Sequence, residues 1–308
     1  MSARPALSRS AVDRDAATRE DDAALAGAWE RALVLVVDDG KALVDGTRLV
    51  LVEPDLAPVG DRFYLGSEAG QAYFAVPGPL PRRLGTTAQG LREVGAALDD
   101  RDAGLLTHAV GLANWHAAHP RCPLCGAATA SAKGGSVRVC EADGSTHFPR
   151  TDPAVIVLIT DGADRAVLGR SPAWPPRRYS TLAGFVEPGE SAEQAVVREV
   201  GEEAGIDVRE VVYRGSQPWP FPASLMLGYR AVCAPDARPV PQDGELEDAR
   251  WFTRDELRDA GGWQGGSGPV LLPPPVSIAH RLITDWVTEV PGGAAAARSA
   301  GPSRGARR

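Results

Sequence analysis

The stretch that most constrains this chain is Gly184–Ile206, GFVEPGESAEQAVVREVGEEAGI. Ser191 and Gln194 have the S-x-x-Q spacing of a capping box, and Gly205 stands where a helix terminus favours positive φ. The pattern predicts a helix over Ala192–Ala204, entered through a Gly-rich loop and left through a glycine turn. On that helix Glu199, Glu202 and Glu203 stand at i, i+3 and i+4, within an arc of roughly 100°. Like charges at this spacing repel by several tenths of a kcal/mol per pair, roughly, even in water. Partial burial enlarges that penalty unless cations sit among the carboxylates. Hard oxygen ligands clustered this way suit Mg²⁺ or Mn²⁺ and suit zinc poorly. Most glutamate clusters on helices are solvated acidic faces, and three glutamates alone do not exclude that.

The chain has 308 residues, enough for two ordinary domains, and its 44% hydrophobic and 24% charged residues suit a soluble protein with a sizeable core. Apolar runs such as Ala154–Ile159 are far too short to span a bilayer, and residues 1–24 lack the apolar segment of a secretory signal. A net charge of −7 argues against indiscriminate nucleic-acid binding. A cytoplasmic location with no membrane contact follows by default.

Between two loose ends, 1–24 and 291–308, three blocks are expected. Residues 25–120 form an N-terminal α/β domain. Its strand-like runs are Leu33–Val37, Leu49–Val52, Arg62–Leu65 and Ala72–Val76. A helix capped by Thr87 follows through Leu91, Val94 and Leu98, then a second from about Ala103 to Ala118. Residues 121–150 are Gly-rich and Cys-bearing, too few for a core without a metal staple. Residues 151–290 open with Ala154–Ile159, which reads as a strand covered on both faces, and close with a helix-like Val276–Val290. The fold class expected is α+β.

The four cysteines, Cys122, Cys125, Cys140 and Cys233, are too few and too unevenly spread for a disulfide-stapled fold. Cys122 and Cys125 form a C-x-x-C pair, which points to metal or redox chemistry. None of the five histidines makes a nucleophilic constellation; His108, His116 and His119 fall on or just after a predicted helix, in surface or packing roles.

The Gly184–Ile206 stretch, read as Gly184, five residues, Glu190, seven residues, Arg198-Glu199-Val200, Glu202-Glu203, Gly205 and Ile206, fills every position of G-x5-E-x7-R-E-U-x-E-E-x-G-U, where U is aliphatic. It resembles the Nudix box of the Nudix hydrolases. The resemblance implies an α/β/α sandwich that hydrolyses a nucleoside diphosphate linked to another group. It implies Mg²⁺ or Mn²⁺ held by Glu199, Glu203, Glu202 and the Ala183 carbonyl, with Arg198 orienting the acidic cluster. Glu203 is the expected base toward water, and Glu190 a buttress of the loop.

Downstream, Ser216–Met226 reads SQPWPFPASLM, a proline-punctuated loop with two flat aromatic faces, Trp219 and Phe221. By composition alone it is a turn whose aromatics cap a core. It matches, however, the S-Q-P-W-P-F-P-x-S motif of the NADH pyrophosphatase subfamily of Nudix enzymes. That resemblance, extending over roughly residues 25–290, implies a dinucleotide site lined by Gln217, Pro218, Trp219, Pro220, Phe221, Pro222, Ala223 and Ser224. Phe185 is expected to stack on a ring, Ala279 to touch substrate, and Glu245 to bind metal; an ordinary surface charge in the Asp243–Asp248 loop is the alternative for Glu245. A homodimer is also implied.

The subfamily carries a zinc ribbon with two C-x-x-C knuckles. Here the second reads Cys140-Glu141-Ala142-Asp143 and lacks its last cysteine. Zinc accepts carboxylate oxygen, so Cys122, Cys125, Cys140 and Asp143 can form a structural site, with His147 a nearby alternative ligand. Cys233 ends an apolar run and reads as a small buried hydrophobe.

The function implied is hydrolysis of the pyrophosphate of NADH or NAD⁺ to nicotinamide mononucleotide and AMP. Removal of NAD caps from RNA would cut the same bond. A broad dinucleotide or ADP-ribose pyrophosphatase is the alternative enzyme. A non-catalytic nucleotide- or RNA-binding module would show an eroded box, and this box is intact.

Overall fold

The structure, a computed structural model, describes residues 4–242, 244–263, 266 and 268–289. The expected tail 291–308, its Arg304–Arg308 cluster, Val290 and Asp243 lie outside the described residues. No helix among those described is long and apolar enough to cross a membrane.

The fold is α+β, and its residues divide into two compact units. One comprises Ala3–Ala154 with Gly215–Leu227; the other comprises Val155–Arg214 and the described part of Gly228–Arg308.

In the first unit the apolar run Leu33–Val37 is a strand parallel to Gln71–Pro77, with Leu33 opposite Tyr73 and Val37 opposite Pro77. Leu51–Val52 and Phe63–Glu68 complete that sheet at its two edges. Val34, Val36, Val52, Tyr64, Phe74 and Val76 form its core, with Trp29 packed edge-on against Phe74. Helix Asp100–Ala118 is capped by Asp99, whose carboxylate accepts from Asp102 N at 2.8 Å. It starts three residues before the expected Ala103 because that cap fixes its origin. Its Leu105, Leu106, Ala109, Val110 and Leu112 are buried.

Three expectations need correction here. Thr87 caps no helix: Thr87–Gly90 is a strand paired with Lys41–Asp45, and the helix starts at Leu91 with Glu93 accepting from Gly90 N at 2.7 Å. The backbone of Thr87–Gly90 is satisfied by the strand ladder, a competitor that local spacing does not reveal. The run Leu49–Val52 breaks at Val50 into Arg48–Leu49 and Leu51–Val52, which join different sheets. Finally, residues 4–24 are no loose tail. They carry a 3-10 turn with Leu7 buried, helix Ala16–Arg19 and the start of helix Asp22–Trp29. Asp13 bridges Ser67, and Asp15 accepts from the Tyr64 hydroxyl at 2.9 Å.

Residues 121–150 form a small antiparallel sheet in the order Thr146–His147, Val137–Cys140, Thr129–Ala132. Its Arg138, 8% exposed, donates to Thr129 and faces His116 Nδ1 of helix Asp100–Ala118 at 2.8 Å.

The main sheet runs Val208–Trp219, Ser224–Cys233, Asp152–Thr160, Arg165–Arg170, Asp248–Thr253, and Leu182–Phe185 also pairs with Asp152–Thr160. Every side chain from Ala154 to Thr160 is buried, so both faces of that central strand are covered, as a continuous apolar run requires. Helix Ile278–Thr288 buries Ile278, Ala279, Leu282, Ile283 and Trp286 along one stripe.

Candidate active site

The helix forms over Ala192–Ala204. Ser191 Oγ accepts from Gln194 N at 3.2 Å, Gln194 returns an acceptor to Ser191 N at 2.9 Å, and Gly205 ends the helix at φ 64°. Ala195, Val196, Val200 and Ala204 are buried on its apolar face.

Arg198 sits at the centre of the polar groups. Its Nε and Nη2 donate to the two oxygens of Glu190, each at 2.9 Å, and Nη1 donates to both Glu199 and Glu202 at 2.9 Å. Nη2 also reaches the Phe185 carbonyl at 2.8 Å. Glu190 in turn accepts from Glu187 N at 3.1 Å, so it braces the loop that enters the helix. Pairing with Arg198 holds the Glu190 carboxyl below its usual range, and the same bond raises the Arg198 guanidinium.

Glu199 behaves oppositely. Burial pushes its carboxyl up against the Arg198 bond, and the charges of Glu202 and Glu245 push the same way. Glu245, from the loop before strand Asp248–Thr253, therefore stands within electrostatic reach of Glu199. The Glu203 side chain is buried, at 4% exposure for the residue. Ala183 and Gly184 lie in strand Leu182–Phe185, and a Cβ placed on Gly184 would fall 1.9–2.2 Å from the Glu199 carboxylate atoms. The backbone thus approaches the carboxylate as only glycine permits. Crowded carboxylates, one of them disfavoured in its charged form, with a single arginine among them, match an all-oxygen site for a hard divalent cation.

The proline-rich loop belongs to the other compact unit. Gln217 is fully buried, and the Trp219 and Phe221 rings meet edge to face at 4.9 Å. The Arg92 guanidinium lies 4.2 Å from the Phe221 ring centre and 5.2 Å from that of Trp219. Asn114 Nδ2 donates to the carbonyls of Pro220 at 2.9 Å and Pro222 at 3.3 Å. Ser8 Oγ donates to the Ser216 carbonyl at 2.6 Å, and Asp152 N to the Ala223 carbonyl at 2.8 Å. Pro218 is half-buried and Ser224 opens the next strand. Phe185 is 60% exposed and has a free ring surface to offer, whereas Ala279 is 2% exposed and its methyl has almost none. Arg92 and Asn114 carried no signal in the sequence, since each meets the loop only through tertiary packing.

Cys122, Cys125, Cys140 and Asp143 converge, with one ligand atom from each lying within 4.8 Å of all the others. Cys125 Sγ and Cys140 Sγ are 3.5 Å apart, near the ~3.8 Å edge of a tetrahedron with ~2.3 Å zinc–sulfur bonds. The two knuckles have the same backbone. Gly126 N bonds Cys122 O at 2.9 Å with Gly126 at φ 77°, and Gly144 N bonds Cys140 O at 3.0 Å with Gly144 at φ 72°. Asp143 therefore occupies in the second knuckle the place that Cys125 holds in the first. Its Oδ1 accepts from Ser145 N at 2.8 Å and Ser145 Oγ at 2.6 Å, leaving Oδ2 toward the sulfurs, 4.0 Å from Cys122. The Ser145 hydroxyl bonds depress the Asp143 carboxyl. His147 stands behind Ser145, 3.1 Å from its hydroxyl, and is not among the four converging groups. Burial opposes ionisation of Cys122, but the backbone N–H groups of Cys125 and Leu124 outweigh it and bring the thiol to about 6. The cluster fits zinc. Cys233 lies apart, buried in its strand, where burial pushes its thiol up.

Comparison with known proteins agrees across the chain. Residues 29–115 match the NADH pyrophosphatase-like rudimentary NUDIX domain, 117–148 the NADH pyrophosphatase zinc ribbon domain and 150–271 the NUDIX domain. An "NAD-capped RNA hydrolase NudC" from Mycobacterium bovis is 44% identical over 295 residues, covering 92% of this chain and 94% of that protein. One of the same name from Stutzerimonas stutzeri is 42% identical over 268 residues, covering 85% and 90%. An "NAD-capped RNA hydrolase NUDT12" from Macaca fascicularis is 42% identical over 200 residues, covering 62% and 43%. With its box, its knuckles and its aromatic loop accounted for along nearly the whole length, the chain belongs to the NADH pyrophosphatase subfamily of the Nudix hydrolases.

Proposed function

We propose that the protein hydrolyses the pyrophosphate bond of NADH and NAD⁺, giving nicotinamide mononucleotide and AMP, and removes NAD caps from RNA by cutting the same bond. The observation that carries this is the carboxylate set gathered around Arg198 and pressed onto the Gly184 backbone. Glu199, Glu202, Glu203, Glu245 and the Ala183 carbonyl would hold Mg²⁺ or Mn²⁺, which when bound neutralises phosphate charge and makes a bound water more acidic. Buried Glu203 is the base that takes the proton from the attacking water. Arg198 fixes the directions in which Glu199 and Glu202 present their remaining oxygens. Phe185 and the Gln217–Ser224 loop supply ring and backbone contacts for the dinucleotide, with Trp219 and Phe221 as stacking surfaces.

In this reading residues 25–120, 121–150 and 151–290 are the functional blocks, and Cys122, Cys125, Cys140 and Asp143 hold a structural zinc ion. The protein works as a homodimer in the cytoplasm, where its cysteines, free here, stay reduced.

The test is turnover of NADH, NAD⁺, ADP-ribose and NAD-capped RNA side by side, with wild type and Glu203→Gln. Wild type should favour the nicotinamide-bearing substrates, and the variant should lose about two to three orders of magnitude on all of them. Unchanged turnover would remove Glu203 from the reaction, and equal use of ADP-ribose would point to the broad pyrophosphatase instead.

A further inference from the structure

We infer that Arg92 and Asn114 are positioning residues for the dinucleotide: through them the N-terminal domain sets the affinity of a loop that it does not itself contain. The inference rests on the reading that Gln217–Ser224 binds the dinucleotide, and goes beyond it by saying what gives that loop its shape.

The loop and the N-terminal domain belong to one compact unit. Five of the loop's residues from Gln217 to Ser224 are proline or aromatic, but the loop borders an open cleft of about 660 Å³ lined by Lys41, Arg92, Asn114, Phe221 and Pro222 among others. On that side discrete contacts from Asn114 and Arg92 hold it. Asn114 supplies two, donating to the carbonyls of Pro220 and Pro222 at 2.9 and 3.3 Å. Between the strand ends at Trp219 and Ser224, Pro220 and Pro222 have no N–H to donate, and their carbonyls are left as acceptors for a side chain. A primary amide with two hydrogens can serve both. Asn114 sits on the rigid helix Asp100–Ala118, one turn after Val110, which is fully buried.

Arg92 supplies a further contact on the cleft side, beside the Ser8 and Asp152 bonds to the Ser216 and Ala223 carbonyls. It makes no ion pair among the described residues, and its guanidinium lies over Phe221 at 4.2 Å and Trp219 at 5.2 Å. A cation over two rings that already meet edge to face fixes their mutual tilt and leaves other ring surfaces open. Each acts on the substrate through the loop.

The experiment compares steady-state NADH hydrolysis by full-length wild type, Asn114→Asp, Arg92→Ala, Arg92→Lys and Trp219→Ala. Asn114→Asp keeps the shape and removes the donor, so it should raise KM about five- to tenfold with kcat within about twofold. Arg92→Ala should do the same, and Arg92→Lys, which keeps a cation over the rings, should recover most of the KM. A merely destabilising change would lower kcat by reducing the active fraction and leave KM alone. Asn114→Asp and Arg92→Ala both showing wild-type KM, while Trp219→Ala raises it, overturns the inference and leaves the loop reading standing. Trp219→Ala with unchanged KM overturns the loop reading, and this inference with it.

Discussion

The Glu199 carboxylate lies so close to the Gly184 backbone that a methyl group there would fall 1.9 Å from the carboxyl carbon. The contact joins strand Leu182–Phe185 to helix Ala192–Ala204, fifteen positions along the chain, and explains why glycine stands at position 184 of that strand. A glutamate end is flexible, so an added methyl would swing the carboxylate aside and leave the fold standing. Gly184→Ala should therefore lower kcat/KM for NADH by about a hundredfold, the scale expected for a 1 Å misplacement. Its thermal midpoint should stay within a few degrees of wild type. Calorimetric titration with Mn²⁺ checks the cause, since binding should weaken in parallel; wild-type Mn²⁺ affinity alongside lost turnover would contradict it.

Ser145 clamps one oxygen of Asp143 by its N–H and its hydroxyl, which aims the other oxygen at the three sulfurs. Partners behind a ligand typically change metal affinity 10- to 100-fold, roughly. Ser145→Ala should thus weaken zinc by about that factor in competition with a chromophoric chelator. Asp143→Cys, restoring a thiolate, should bind more tightly than wild type. Stoichiometric zinc retained by Cys122→Ser would rule the cluster out as the site.

His116 is buried between Phe63, stacked 4.3 Å away, and Arg138. Its Nε2 lies 2.8 Å from the Gly135 carbonyl and so carries the proton, leaving Nδ1 to accept from Arg138. Burial first, and then the Arg138 charge, lower its pKa. His108 is lowered further, to about 3, by burial and the Arg14 charge. With folded pKa values below the unfolded ~6.5, the stabilisation is complete above about pH 6.5 and falls as pH drops, by up to ~1.4 kcal/mol per pH unit for each histidine. Chemical denaturation at pH 8, 6 and 5 should show that loss, and His116→Gln should reduce its slope. Equal slopes in the two proteins would contradict the account.

The elements visible in the sequence were those whose stabilising contacts are local. The capped helix Ala192–Ala204, its acidic face with Arg198, the C-x-x-C knuckle and the fully apolar strand Ala154–Ile159 all follow from residues within a few turns of each other. Thr87–Gly90 looks locally like the start of a helix because its partner strand, Lys41–Asp45, lies some forty residues earlier. Residues 4–24 read as patternless because their stabilising contacts are single ones to distant residues, such as Asp15 to Tyr64.

What the sequence determined by itself was the chemistry on offer: which carboxylates share a helix face, which cysteines share a knuckle, where backbone must turn. Tertiary structure decided which of those groups meet. It set Asp143 rather than His147 among the sulfurs, Glu245 within reach of Glu199, and Asn114 against carbonyls 106 and 108 residues away. Helical and turn periodicity is written by bonds a few residues long, whereas these meetings depend on how whole layers of side chains fill space, and no local spacing encodes that.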